Sequence, residues 1–279
     1  MAGDPAGALR AAVRYRRGLV AERKAAQQRL HDQLSALCPG LSAPAGHGRA
    51  LVLEDTSGQA VLACAAAFAG RAPAARSVQA RAPGRLPASN ARYWAGRWKA
   101  CLPPPADAAA RAGRLGRSTA RWQAIRAGIA AAGAGIELLL AGTGGQILTS
   151  LPGAAVARAA GFAAFSLPIE RFPPAGHLYS ATGLAPARYQ SATLSRAGRI
   201  SRTGLAEHRG ALMGIAGGLS QRCAPFAERD AELRARGMSP IQARVALARH
   251  ACRLTYQMRV TQQPFDEQRY RPGRHPGRR

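Results

Sequence analysis

The stretch ARYQSATLSRAGRISRTG, residues 187–204, sets Arg188, Arg196, Arg199 and Arg202 around Ser191, Ser195 and Ser201 with no carboxylate among them. A guanidinium fork matches two phosphate oxygens at once, so this density of charge suits a phosphate backbone. A serine hydroxyl inside it could sit where a phosphodiester is held; a solvated basic loop is the plain alternative. Two further sets could meet nucleic acid. RYWAGRWK places Trp94 and Trp98 one helical turn apart with Arg92, Arg97 and Lys99 interleaved, either a base-stacking platform or, as the favoured reading, a helix packed by its indoles. Leu151-Pro152-Gly153 reads as the turn of a helix-hairpin-helix, whose free backbone N–H groups can meet a DNA phosphate.

The balance of charge agrees with such a partner. Across 279 residues Lys and Arg number 40 and Asp and Glu 14, a net charge of +26 that calls first for nucleic acid and second for an anionic membrane. Scattered acids make a complete two-metal site on these residues unexpected, since hard cations need clustered carboxylates. The five cysteines, Cys38, Cys64, Cys101, Cys223 and Cys252, form no C-x-x-C pair and sit in no zinc-finger register, which predicts free thiols and no bound metal. The start MAGDPAGALR lacks the apolar segment of a signal peptide, and every long apolar run is broken by a charge or a glycine. The expectation is a cytoplasmic, nucleoid-associated protein with no membrane span.

The elements that must carry these residues are mostly helical, because much of the 47% hydrophobic content is alanine and only 5% is aromatic. Apolar side chains at Leu9, Val13, Val20, Leu30, Leu34 and Leu37 predict one long amphipathic helix, ended by Pro39 and Gly40. A second, from about Ala108 to Leu140, carries Leu115, Trp122, Ile129 and Ile136 seven apart, with Ile125, Ala132 and Leu139 at the alternate position. Its Gly128, Gly133 and Gly135 each cost about 1 kcal/mol against alanine, so the seam needs a partner: the first helix, antiparallel, or a second subunit. Between the two, only DTSGQAVLACAAAFAGR reads clearly as a helix. GTGGQ at 142–146 marks a boundary. Beyond it come a short helix, the Pro152-Gly153 turn and a helix from near Ala155, and Ser239-Pro240-Ile241-Gln242 caps a last long helix. That helix carries two buried stripes, Ile241, Val245, Ala248, Cys252 and Leu247, Ala251, Leu254, Met258. The segments are therefore 1–40, a long basic helix; 41–141, an insert and second coiled-coil helix; 142–266, a helical C-terminal domain; and 267–279, a disordered basic tail. The fold class is mainly α: long antiparallel coiled-coil helices, then a helical domain with a helix-hairpin-helix-like turn.

The order ILTSLPG, GHLYSATGLAP, YQS, GRISRTG, ELRARGMSPIQARVALARHACRLTYQMR and QPFD, spread over residues 147–266, resembles the C-terminal domain of a known family. These are insertion-sequence transposases that join an N-terminal DEDD metal-ion domain to a C-terminal serine domain, the bridge-RNA-guided recombinases. LRAAVRYRRGLVAERKAAQQRLH is similar to the helix that follows the metal domain in that family, while residues 41–110 match loosely. Two departures stand out. The sequence begins a few residues before that helix, so the resemblance implies a copy without its DEDD half, and Asp4, Glu22, Asp32, Glu54 and Asp55 read as surface or capping acids. Ala192 and Ala155 stand where the family's motifs carry glycine.

Carried over residue by residue, the resemblance makes Ser191 the nucleophile and puts Gln190 and Arg188 on the same loop, with Arg196, Arg199 and Arg202 as further nucleic-acid contacts. A serine oxygen attacking a phosphodiester sheds a proton while negative charge gathers on phosphorus, and nearby cations answer that charge. The resemblance also implies DNA and a guide RNA as partners, assembly as a dimer or tetramer, and Mg²⁺ held by the DEDD domain and not by these residues. The chain on its own is then expected not to cut DNA. The alternatives are a non-catalytic DNA-binding or assembly protein derived from a transposase, and a basic ribosome- or nucleoid-associated protein, which would explain the charge but not the order of motifs.

Overall fold

The computed structural model describes residues 4–42, 50–191, 194–201 and 203–268; over 187–199 it describes the backbone. The fold is mainly α, with one two-stranded hairpin among the described residues. The basic tail expected at 267–279 falls, from residue 269 on, outside them, as does Arg202.

Helix α1 runs Pro5–Leu37, a turn earlier than the apolar spacing alone suggests. Asp4 explains the difference: its carboxylate accepts the Ala6 N–H at 3.0 Å, and Pro5 brings a φ already suited to a first helical position. Backbone N–H donation, chiefly from Gly7, holds the Asp4 carboxyl below its ordinary range. Helix α2, Thr56–Ala67, is capped the same way by Asp55, which accepts the Gly58 N–H at 2.7 Å. Short α3 (Ala75–Ala80) and α4 (Ala88–Lys99) follow, then α5, Ala108–Ala141.

The chain forms two compact units. One is residues 17–130; the other joins 1–16 to 131–279, so that α1 and α5 each contribute to both. The sequence division at 40/41 and 141/142 follows composition, whereas the contact division falls inside the long helices. In the first unit Leu30, Leu34 and Leu37 of α1 are buried with Val61, Leu62 and Cys64 of α2 and with Leu115, Trp122 and Ile125 of α5. Leu19 lies against Gly128, Arg121 pairs with Glu22 at 2.7 Å and Arg111 donates to the Ala36 carbonyl at 3.3 Å. Rising numbers on α1 meet falling numbers on α5, so the two helices are antiparallel, as the heptads predict. Trp94 and Trp98 are both 3% exposed, and Trp98 Nε1 donates to the Gly70 carbonyl at 2.9 Å. The indoles pack a core and offer no face to a base.

The second unit is built on Leu9 and Val13 of α1 and Ile136 and Leu140 of α5. The segment expected as a short helix before Pro152 is a five-residue 3₁₀ helix, Gln146–Ser150. Helix α6 (Val156–Ser166), a 3₁₀ turn at Ile169–Arg171 and α7 (Ala175–Ala181) lead to strands β1 (Pro186–Ser191) and β2 (Leu194–Ile200). Helices α8 (Ala206–Arg222), α9 (Ala224–Ala235) and α10 (Pro240–Thr261) complete the unit. At α10 the expected capping box is present: Gln242 N–H donates to Ser239 Oγ, and Ser239 N–H to Gln242 Oε1 at 2.9 Å. One stripe of α10 is corrected, since Ile241 is 69% exposed at the first turn, while Ala248, Cys252, Leu247, Ala251 and Met258 are buried as expected. All five cysteines are free thiols, and burial pushes those of Cys38 and Cys252 up to about 12.

The Pro152-Gly153 turn needs its glycine. Gly153 has φ +78°, and a Cβ there would stand 2.8 Å from the Cα of Gly218 on α8. The turn therefore rests backbone to backbone on α8, with Arg158 Nη1 donating to the Gly153 carbonyl.

Candidate nucleic-acid interface

The residues singled out for chemistry lie in the hairpin. An antiparallel register pairs Arg188 with Ala197, Tyr189 with Arg196, Gln190 with Ser195 and Ser191 with Leu194. The basic loop considered in the sequence is thus a ladder, and it brings Arg188, Gln190, Ser191, Arg196 and Arg199 onto two adjacent strands, with Ser191 at the far end of β1. Arg202 lies outside the described residues.

A clamp at the foot of the hairpin is built from the motif GHLYSATGLAP. Thr182 Oγ1 donates to the Tyr179 carbonyl at 2.6 Å and accepts the Leu184 N–H at 3.3 Å, closing the turn that ends α7. Tyr179 is buried and its hydroxyl donates to the Leu184 carbonyl at 3.1 Å. On the return side Ser201 N–H donates to the Ala185 carbonyl at 2.9 Å, and Arg209 Nη1 reaches the Thr182 and Gly204 carbonyls at 3.3 and 3.4 Å. Gly204 passes so close to the Ala181 carbonyl that no Cβ would fit. Both ends of the hairpin are thereby fixed to one turn.

Beside this foot is a groove of about 380 Å³ lined by Tyr179, Ser180, Pro186, Arg249 and Arg253, among others. The Arg249 guanidinium lies 5.2 Å from the centroid of the Tyr179 ring. Burial raises the Tyr179 phenol above its ordinary value, and the charge of Arg249 opposes that rise. The sequence reading missed this pair of arginines; the signal available was the R-x-x-x-R spacing of Arg249 and Arg253 in a stretch free of acids.

His208 sits on α8, 1% exposed, its ring 4.8 Å from that of Phe162 and 6.3 Å from that of Phe165. Its Nε2 has no hydrogen-bond partner, and burial holds its pKa down to about 4. It is a neutral core residue with no path for taking a proton from a hydroxyl in solvent.

The clamp, the hairpin and the Pro152 turn all fall within residues 145–231, and that segment matches the family model described as transposase IS116/IS110/IS902 family. The match supports an insertion-sequence transposase. A transposase of this kind implies interaction with DNA, and the concentration of arginine in the hairpin is in keeping with it. No curated protein is significantly similar to the chain. The Mg²⁺ implied by the resemblance does not fit the described residues of the chain, among which no group of three or more His, Cys, Asp or Glu could hold a metal ion. Helix α5 is long and apolar enough by length and composition to cross a membrane; 17% of its apolar stretch is buried, with Ile125 and Ile136 in the cores of the two units.

Proposed function

We propose that the chain acts in DNA transposition as the serine-bearing part of a recombinase, with Ser191 as the nucleophile. The observation that carries this reading is the family match over residues 145–231, which encloses the YQS and GRISRTG motifs. In the proposed step the Ser191 hydroxyl gives up its proton as its Oγ bonds to phosphorus, the bond from phosphorus to one ester oxygen of the DNA strand breaks, and that oxygen takes a proton and leaves as a hydroxyl end. The protein holds the strand as a phosphoserine ester until the hydroxyl end attacks in reverse, rejoins the strand and frees the serine. Arg188, Arg196 and Arg199 answer the charge that gathers on the phosphoryl oxygens, as Arg202 and the Gln190 amide do for the flanking backbone. Structured RNA, the guide of the resemblance, is proposed to use the same basic surface, and self-association is proposed to bring two cut strands together. The metal-binding carboxylates of the resemblance are proposed to come from a separate segment. Without them the same residues would serve a second reading, DNA binding and assembly without cleavage; the lack of any metal-holding cluster among the described residues favours that for the chain by itself.

The test incubates the chain with duplex carrying insertion-sequence ends, with and without a DEDD domain supplied, and looks for a covalent protein–DNA adduct on a denaturing gel. The expected adduct forms only with the added domain and vanishes in Ser191→Ala. An adduct that survives that substitution moves the nucleophile to Ser195 or Ser201, and one formed by the chain alone overturns the division of labour.

A further inference from the structure

The groove at the foot of the hairpin is not used by the proposed chemistry, yet its lining is specific. Arg249 and Arg253 stand one turn apart on α10, both exposed, and no described carboxylate pairs with either. Tyr179 forms a fixed floor: its ring lies under Arg249 and its hydroxyl is tied to the Leu184 carbonyl. The exposed Ser180 adds a hydroxyl, and Ala185 and Pro186 form the wall from which β1 departs. Small-molecule sites enclose most of their ligand. Here the arginines, Ser180 and Gly176 are all exposed, so the shape suits a strand passing through better than a molecule held inside.

We infer that this groove holds a phosphodiester of duplex DNA, gripped by Arg249 and Arg253, and positions the strand whose reacting phosphate meets Ser191. Two guanidinium groups a helical turn apart can each take a phosphate oxygen, and Ser180 can donate a third hydrogen bond. Pro186 and Ser191 are five residues apart in extended chain, roughly 17 Å at about 3.3 Å per residue. DNA advances about 3.4 Å per base pair along each strand, so a duplex lying along β1 places the two phosphates roughly five base steps apart. Because the clamp ties Tyr179, Leu184 and Ala185 to the base of the hairpin, a phosphate fixed in the groove fixes the strand relative to β1. The inference rests on the transposase reading for the role of Ser191, but the binding site itself does not need the serine to react.

The experiment treats the whole chain with phenylglyoxal, which modifies accessible arginines, at low salt with and without a 30-base-pair duplex, and reads each arginine by mass spectrometry. Arg249 and Arg253 are expected to be protected by the duplex, while the exposed Arg76 and Arg85, outside the groove, stay reactive. Equal protection of all four means charge-driven coating and overturns the groove. Binding with Arg249 and Arg253 still reactive also overturns it, while leaving the transposase reading in place; protection by an RNA hairpin but not by the duplex reassigns the groove to RNA and overturns the DNA assignment. Absence of any DNA binding overturns both. In parallel, Arg249→Gln with Arg253→Gln is expected to make the slope of log affinity against log salt shallower by about 0.9, the change for the one phosphate the pair grips. It should also lower affinity by about tenfold per arginine. Arg76→Gln with Arg85→Gln should leave the slope unchanged, and a slope unchanged in the groove variant sinks the proposal.

Discussion

His208 shows what a single buried side chain imposes on stability. Between Phe162 and Phe165 it is neutral, with its pKa down to about 4 from an ordinary 6.5. The unfolded chain therefore binds a proton there between pH 6.5 and 4 while the folded chain does not, and stability must fall as the pH is lowered through that window. Integrated over the shift, the loss is on the order of 3 kcal/mol, complete near pH 4 and absent above pH 7. Urea unfolding at pH 7 and pH 4.5 checks it, with His208→Phe expected to flatten the difference; an equally steep fall in the variant would place the pH sensitivity elsewhere. The sequence could not reveal His208, because the rings that desolvate it belong to α6, reached only by packing. Trp94 and Trp98 were legible because a pair one turn apart marks a buried helix face whatever lies opposite.

At the scale of elements the long helices and the α10 cap could be read directly, since heptads and capping boxes are local patterns. The hairpin could not. Residues 186–200 are mostly Arg, Ser, Ala and Gly, with no apolar alternation of period two to announce strands. What holds its foot is the clamp of Tyr179, Thr182, Ser201 and Arg209, contacts made between residues of α7, α8 and the chain on either side of the hairpin and so not a local sequence pattern. The same distinction reshapes the expectation for self-association. Ile136 is 1% exposed in the core of its unit, so Ile136→Asp buries a charge and should unfold that unit, at a cost above about 3 kcal/mol, without reporting on an interface. Leu138 on the same helix is 77% exposed. If α5 meets a second copy along that face, Leu138→Asp should leave the unfolding midpoint in place and shift sedimentation toward the monomer. An unchanged oligomer would remove this face from the proposed interface.

For the whole molecule, charge sets the strongest constraint. Pairing every one of the 14 acids with a cation would still leave a net charge of +26, and the acids are in part so engaged, by Arg10, Arg23, Arg111, Arg121, Arg229 and Arg234 among others. Those pairs are largely exposed and screened by solvent, so they lend little stability. The unpaired excess is held against self-repulsion, which a polyanion relieves. Each phosphate neutralised by Arg or Lys releases condensed counterions, so the logarithm of the affinity must fall linearly with the logarithm of salt. With roughly six to ten phosphates engaged, binding to duplex DNA should weaken by about 10³ to 10⁵ between 50 and 200 mM salt. Fluorescence anisotropy with a labelled duplex, repeated at several salt concentrations, measures that slope. A response near zero would mean that the excess cations do not face the DNA, and the basic hairpin would lose its claim to the phosphate backbone. A steep slope for duplex and structured RNA alike is the expected result, because the counterion contribution counts phosphates and is blind to sequence.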